Sequence, residues 1–227
     1  LEGYNVCLGP FMQTVRDPGR FAWWLSELAK GGAPVPFMGT PENHNTPRAV
    51  RWPGGLSYAL YALTVGAFLP GIPYIHGGVE LAETHPINTG FDFTPEEQAG
   101  LPPEALPLFS AAAYDWTRRE TLVEGLRVML KAREPWAGLV TEGSGAALHP
   151  IITDNAHLIG YARGQEDAPA LAVFCNSDMQ QAQSGRAAVP AGCSSLTDML
   201  SGERFAWREG RVALALAPAQ VIVLALR

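Results

Sequence analysis

The polar side chains best suited to chemistry lie together in one short stretch of the sequence. A carboxylate, an imidazole, two amides and a guanidinium follow a short apolar run. Such a set can bind neutral polar ligands through hydrogen bonds, and an imidazole can also transfer protons. The stretch Pro36–Arg48 contains these side chains, which are Glu42, Asn43, His44, Asn45 and Arg48.

The elements around this stretch predict that it stands at the end of a buried strand. Val35–Gly39 is a short apolar run that leads directly into the polar cluster. Apolar strands alternate with helical patterns through the first half of the chain, which favours βα units and a parallel sheet. Clusters at strand ends are where α/β barrels build their active sites. The other predicted elements here are strands Tyr4–Leu8 and Ile72–Ile75 and helices Arg20–Lys30 and Leu56–Leu69.

A long connection over residues 84–107 separates this half from a predicted amphipathic helix, Arg119–Glu134. Carboxylates and carbonyls in the connection could hold calcium, yet their spacing matches no EF-hand loop. We therefore predict no cofactor and no metal, with calcium as the alternative left open. The polar residues of the connection are His85, Asp92, Glu96 and Glu97.

The pattern changes after Trp136, where short strands follow one another without helices. Glycine, proline and aspartate separate them, as is typical of an antiparallel all-β module, here predicted to be a sandwich. The boundary is expected within Leu139–His149. The predicted strands are His157–Arg163, Ala170–Asn176, Ser194–Leu200, Arg211–Leu216 and Gln220–Leu226.

The composition excludes several classes of partner. The net charge is −6 and no Lys/Arg cluster is visible, which argues against nucleic acid as a partner. No apolar run reaches the roughly 18 residues that a membrane span needs. The cellular location stays open, with the cytoplasm favoured. Cys7, Cys175 and Cys193 form no CxxC pair and are interpreted as small buried apolar residues, with a Cys175–Cys193 disulfide as an alternative.

Three stretches, in order along the chain, carry motifs of one enzyme family. Phe37–Arg48 resembles the fourth conserved region of the α-amylase family, glycoside hydrolase family 13, which ends in Asn-His-Asp. Pro70–Glu80 resembles its eighth barrel strand, where the family reads Pro-Gly-Ile-Pro and later Gly-x-Glu. Gly3–Val6 resembles its sixth strand, a match that would be weak evidence for the family on its own. The final β module resembles the family's C-terminal domain, so the resemblance covers nearly the whole chain.

The resemblance implies an architecture and a reaction. The fold would be strands six to eight of a (β/α)8 TIM barrel over residues 1–138, followed by an antiparallel β-sandwich over 139–227. The reaction would be retaining hydrolysis or transfer at the α-glucosidic bonds of an α-linked glucan or maltooligosaccharide. Retention needs two carboxyl groups about 5–5.5 Å apart, a nucleophile and an acid.

The family carries its nucleophile and acid on strands four and five, which have no counterpart in this chain. We therefore expect both groups to lie in a remaining barrel segment of the same protein, and this chain alone to be inactive. The alternative function is that of a catalytically inactive carbohydrate-binding or scaffold relative of α-amylases.

The resemblance also assigns roles to single residues. His44 matches the histidine that donates a hydrogen bond to a sugar hydroxyl, and Asn45 stands at the position of the third catalytic aspartate. Asn45 could be an engineered inactivation, mark a natural non-catalytic relative, or belong to a different site chemistry. Glu42 and Arg48 either form an ion pair that holds the turn, which we favour, or contact substrate together with Asn43. Glu80 is expected to fix a loop, while His76, Tyr74 and Trp52 are interpreted as packing residues that could instead stack on sugar rings.

Overall fold

The computed structural model describes residues 11–85, 94–99, 114–189, 193 and 195–226. The predicted strand Tyr4–Leu8, Cys7 and Asp92 lie outside these residues. In chain order the helices are α1 Phe11–Thr14, α2 Pro18–Gly31, α3 Gly55–Phe68, α4 Pro95–Ala99, α5 Val123–Arg133 and α6 Ala137–Thr141. The strands are β1 Phe37–Gly39, β2 Gly71–Pro73, β3 Leu148–Ile151, β4 Leu158–Gln165, β5 Ala168–Asn176, β6 Gln183–Ala188, β7 Leu196–Asp198, β8 Arg204–Phe205, β9 Trp207–Arg208, β10 Arg211–Leu216 and β11 Val221–Leu226.

The first half contains the βα pattern that the sequence predicts. β1 and β2 pair in parallel, with Phe37 opposite Gly71, and α3 connects them. Asp17 begins α2 because its carboxylate accepts a hydrogen bond from the backbone N–H of Arg20 at 2.8 Å. α3 is buried nearly all round, as its apolar sequence predicts.

Two elements of the first half differ from the prediction. α5 begins at Val123, later than predicted, because the backbone N–H of Leu122 donates to the carbonyl of Glu80 at 2.8 Å instead of entering a helical turn. The connection over 84–107, predicted without secondary structure, contains the short helix α4 among its described residues.

The second half consists of two antiparallel sheets. The larger sheet has the order β3-β4-β5-β11-β7-β8 and the smaller has the order β6-β10-β9. Inner faces of both sheets share one hydrophobic cluster, to which Phe174 and Leu224 contribute from the larger sheet and Val212 and Leu214 from the smaller. β10 alternates between exposed and buried positions as a half-buried strand must.

The sequence patterns missed the edge strands β3, β6, β8 and β9. Each lies at the edge of its sheet. Pro150 cannot donate to the ladder, which a strand at a sheet edge tolerates. β6 can contain the polar run Gln183–Arg186 because Ala187 is the only one of its residues that is buried. The residues of β3 and β6 therefore do not show the apolar alternation of the inner strands.

A second hydrophobic cluster joins the larger sheet to the helices. The outer face of this sheet places Tyr161, Val173 and Cys175 in the same cluster as residues of α2, α3 and α5. The sheet is consequently buried on both faces, which explains the continuous apolar run of β11. This cluster crosses the boundary expected near residue 138, and the division into 1–138 and 139–227 stays a prediction.

The cysteines are free in the described part of the chain. Cys175 is fully buried and Cys193 is partly exposed, so the disulfide alternative is wrong. The Cys175 thiol donates to the Tyr61 hydroxyl at a sulfur–oxygen distance of 3.7 Å. Burial raises the pKa of this thiol to about 12 from an ordinary 9.0.

Cys175 should make the protein sensitive to alkali. Because its folded pKa lies above the unfolded one, its stabilisation is complete below about pH 9 and is lost as pH rises towards about 12. We expect the free energy of unfolding to fall by about 1 kcal/mol more between pH 9 and pH 10 in the unaltered protein than in Cys175→Ala. Urea unfolding at both pH values measures this, and Cys193→Ala serves as the control. Equal losses in Cys175→Ala and the unaltered protein would contradict the assignment.

Candidate functional site

The polar stretch predicted to carry chemistry forms a turn at the carboxyl end of β1. β1 ends at Gly39, where a Cβ atom would lie only 2.8 Å from the Cα of Gly66 in α3. The absence of a side chain at Gly39 therefore lets α3 pack directly on the strand. This close contact fixes where the turn, Thr40–Arg48, leaves the sheet.

The turn is closed by its own short polar side chains. The Thr40 hydroxyl donates to the carbonyl of Glu42 at 2.6 Å, and the Thr46 hydroxyl accepts from the backbone N–H of Asn43 at 2.9 Å. The side-chain carbonyl of Asn43 accepts from the backbone N–H of Asn45 at 2.7 Å. The bond from Asn43 is that of an Asx-type turn, and together these bonds hold the backbone of the tip.

A buried ion pair lies beneath the tip. The side chains of Glu42 and Arg48 are 1% and 2% exposed, and their Oε1 and Nη1 atoms are 2.6 Å apart. The second oxygen of Glu42 accepts from the backbone N–H of Ala49 at 2.5 Å. His76 completes the cluster, with its Nδ1 3.2 Å from Oε1 of Glu42. The ion pair that we favoured from sequence is therefore present.

Arg48 also connects the turn to the segment that follows β2. Its Nε donates to the carbonyl of His85 at 2.9 Å, and its Nη1 donates to the carbonyl of Gly77 at 2.9 Å. Nη2 is buried and meets no hydrogen-bond partner in the described part of the chain. Glu80 holds the same segment, because its Oε2 accepts from the backbone N–H of Gly78 at 2.9 Å. The loop-fixing contact expected of Glu80 is present.

The site residues predicted from sequence thus lie at two levels. His44 is exposed at the tip and Asn45 is partly exposed beside it. Asn43, Glu42 and Arg48 are buried below them, within the hydrogen bonds that shape the turn. The direct substrate contacts predicted for these three residues stay a prediction.

Sequence reasoning assigned His76 to packing and missed its place in the ion-pair cluster. The signal that could have found it was its position just after a strand parallel to β1, at the same edge of the sheet. The ring of Tyr74, 38% exposed, stacks on that of His76 with centroids 6.3 Å apart. Trp52 is instead covered by the guanidinium of Arg16, 3.8 Å from its ring centroid.

The side chains of His44 and Asn45 determine which ligands the tip can bind. The imidazole of His44 and the amide of Asn45 offer donors and acceptors but no fixed negative charge. Such a pair suits the hydroxyl groups of a neutral ligand. No group of three or more histidine, cysteine, aspartate or glutamate side chains arranged to hold a metal occurs among the residues that the structure describes. Within that same part, no helix is long and apolar enough to cross a membrane.

Comparisons with known proteins identify the fold. No family model and no curated protein sequence matches the chain. Solved structures do match, and they include an α-amylase from Geobacillus thermoleovorans complexed with acarbose (15% identity, TM-score 0.69) and a maltogenic α-amylase from Thermotoga neapolitana (12%, 0.69). AmyP in complex with maltotriose also matches (14%, 0.65).

These matches cover 99%, 99% and 100% of this chain but only 48%, 51% and 52% of the respective solved chains. The chain thus spans about half the length of the structures that it matches. The predicted resemblance to the α-amylase family is confirmed in the fold, which is the mixed α/β and antiparallel-β fold of the C-terminal region of these enzymes.

Proposed function

We propose that this chain is the C-terminal part of an α-amylase-family glycoside hydrolase or glucanotransferase. In this proposal its Thr40–Arg48 turn binds the sugar at the bond that reacts. The main support is the tip formed by the exposed His44 and the partly exposed Asn45, which a buried ion pair holds at the carboxyl end of β1. The acarbose and maltotriose complexes of the similar structures support an α-linked oligosaccharide as the ligand.

In this proposal β1 and β2 are the seventh and eighth strands of a (β/α)8 barrel, and the antiparallel sheets form the terminal sandwich. A barrel buries the outer edge of each strand against its neighbour. Three large apolar residues in and after β2 are exposed here: Ile72 by 43% of its surface, Tyr74 by 38% and Ile75 by 36%. The remaining barrel segment of the protein would cover them.

The turn would act by binding and orientation. The reaction's nucleophile and acid would come from the remaining barrel segment, and His44 would donate a hydrogen bond to a hydroxyl of the reacting sugar. The buried Glu42–Arg48 pair would keep the tip in one conformation, so that little entropy is lost when substrate binds. Asn45 would hold sugar hydroxyls through its amide.

One observation favours the alternative, an inactive carbohydrate-binding relative. Asn45 is neutral where the family carries a carboxylate. A charge-assisted hydrogen bond that strengthens in the transition state is replaced by a weaker one, which lowers turnover more than binding. Both functions require the tip to bind α-glucan.

His44→Ala should therefore weaken maltoheptaose binding about threefold to tenfold, the value of one lost neutral hydrogen bond. Isothermal titration measures the dissociation constant. His149→Ala is a suitable control, since His149 lies on β3 and bonds the carbonyl of Gly164 at 3.0 Å. Unchanged binding by His44→Ala would refute the role proposed for the tip.

A further inference from the structure

Three arginine side chains share the outer face of the smaller sheet. Arg186 lies on β6, Arg208 on β9 and Arg211 on β10, and all three are exposed. Trp207 and Val212, the sequence neighbours of the last two, belong instead to the hydrophobic cluster between the sheets. Because successive residues of a strand face opposite sides, the arginines point away from that cluster and towards solvent.

The strand register brings the three guanidinium groups around one point. Arg211 lies directly opposite Arg208 on β9. On its other side it lies opposite Ala188, so Arg186, two residues earlier on β6, is its diagonal neighbour. Directly opposite residues have Cβ atoms about 5 Å apart, and diagonal residues are about 7–8 Å apart. Arginine side chains are long enough to reach one shared ligand over these distances.

The same three side chains line one cavity of ≈ 320 Å³, so the cavity and the register agree on their placement. Ala206 and Ala213 also line it, and Ala213 lies directly opposite Arg186. Alanine side chains are short, so they leave open space between the long arginines. Small-molecule sites begin at about 300 Å³. The cavity therefore has room for a small anion and little more.

The positive charge in this cavity is not balanced by the protein. None of the three guanidinium groups has an ion-pair partner among the residues that the structure describes. Glu209 also lines the cavity, but it belongs to the tight turn between β9 and β10, where its φ is 52° and that of Gly210 is 69°. Like charges directly opposite each other destabilise a sheet. A bound anion would remove this repulsion.

The number and arrangement of the guanidinium groups suit a phosphate group. A phosphate monoester carries a charge of about −1.5 to −2 at pH 7 and offers three oxygen acceptors. Each guanidinium presents a planar fork of N–H donors that matches phosphate geometry. Three forks on three adjacent strands can therefore each meet a different oxygen. A carboxylate has two oxygens in one plane and a single charge, so it uses fewer of these donors.

We propose that Arg186, Arg208 and Arg211 form a binding site for the phosphate group of a small soluble molecule. The cluster is compact, and the chain as a whole has a net charge of −6, which does not suit the long backbone of a nucleic acid. No residue of the Thr40–Arg48 turn lines this cavity. The phosphate site is therefore separate from the turn, and its existence does not depend on the proposed function.

Arg211→Ala tests the proposal, because Arg211 lies between the other two arginines. Isothermal titration with inorganic phosphate at low ionic strength should show a dissociation constant about tenfold to a hundredfold higher than that of the unaltered protein. Arg211→Lys keeps the charge but loses the fork, so it should also bind more weakly. Arg20→Ala is the matched control, since Arg20 is an exposed arginine of α2 that does not line the cavity. It should bind phosphate like the unaltered protein.

Urea unfolding gives a second readout. A ligand that binds the folded state stabilises it, so phosphate should raise the urea midpoint of the unaltered protein and of Arg20→Ala more than that of Arg211→Ala. Without phosphate, Arg211→Ala should unfold at the same or a higher urea concentration than the unaltered protein, because the repulsion between Arg208 and Arg211 is relieved. A lower midpoint without phosphate would show a structural role and count against the site.

Three further results would overturn the proposal. They are the absence of saturable phosphate binding by the unaltered protein, an equal loss of affinity in Arg20→Ala and Arg211→Ala, and binding of acetate as tight as that of phosphate. If Arg211→Ala does not fold, Arg186→Ala and Arg208→Ala decide the question in its place. His44→Ala should bind phosphate normally, so failure of the phosphate site and failure of the proposed function are separate results.

Discussion

Glu42→Ala is expected to lower the free energy of unfolding by about 3–5 kcal/mol. The substitution leaves the guanidinium of Arg48 buried without a counter-charge, and the backbone N–H of Ala49 loses its acceptor. Removing one partner of a buried pair is costly because the other charge stays desolvated. Urea unfolding at neutral pH measures the difference.

A matched exposed pair provides the control. Lys30 and Glu27 are 2.9 Å apart on α2, with side chains 73% and 45% exposed. Glu27→Ala should cost no more than about 0.5 kcal/mol, because solvent already screens this pair. If Glu42→Ala destabilised the protein no more than Glu27→Ala does, the buried pair would not be what holds the turn.

Asn45→Asp is expected to raise kcat on maltoheptaose by about 10²–10³ in the protein that contains the remaining barrel segment. A carboxylate at this position would form charge-assisted hydrogen bonds with sugar hydroxyls, and these bonds strengthen as the ring distorts towards the transition state. The gain should appear in kcat and leave KM within about threefold. Initial rates of reducing-sugar release across a substrate series measure both constants.

Asn43→Asp is the control for charge alone. Asn43 lies in the same turn, but it is 7% exposed and its side chain accepts from the backbone N–H of Asn45. A carboxylate there adds the same charge below the tip and should give no gain in kcat. If Asn45→Asp also gave no gain, the inactive carbohydrate-binding relative would become the better description of this protein.

Local sequence patterns predicted most of the helices and strands because the spacing of apolar residues in each of them matches the way it is buried. α3 and β11 are largely apolar and are buried on nearly every side, while β10 alternates and is half buried. β3 and β6 escaped prediction because β3 contains a proline and β6 buries only Ala187, so neither shows an apolar alternation. The late start of α5 depends on a bond between Leu122 and Glu80, which no local pattern contains.

The candidate site was predictable only in part, for a similar reason. The turn and its polar residues are adjacent in sequence, so their types and spacing identified them. His76 and the carbonyl of His85 reach Arg48 from distant parts of the chain. Contacts of this kind depend on how two strands and their following loops meet at one sheet edge, and sequence spacing does not record that.

The hydrophobic cluster shared by α3 and the larger sheet constrains the order in which the chain can fold during synthesis. The thiol of Cys175 meets the hydroxyl of Tyr61 across a separation of 114 residues. α3 therefore leaves the ribosome long before β5, the strand that covers it. Its apolar surface stays exposed until β5 has been synthesised. Closing so long a loop comes late in folding. The nascent chain consequently passes through a stage in which α3 lacks its final cover, and that stage is where a chaperone would be of most use.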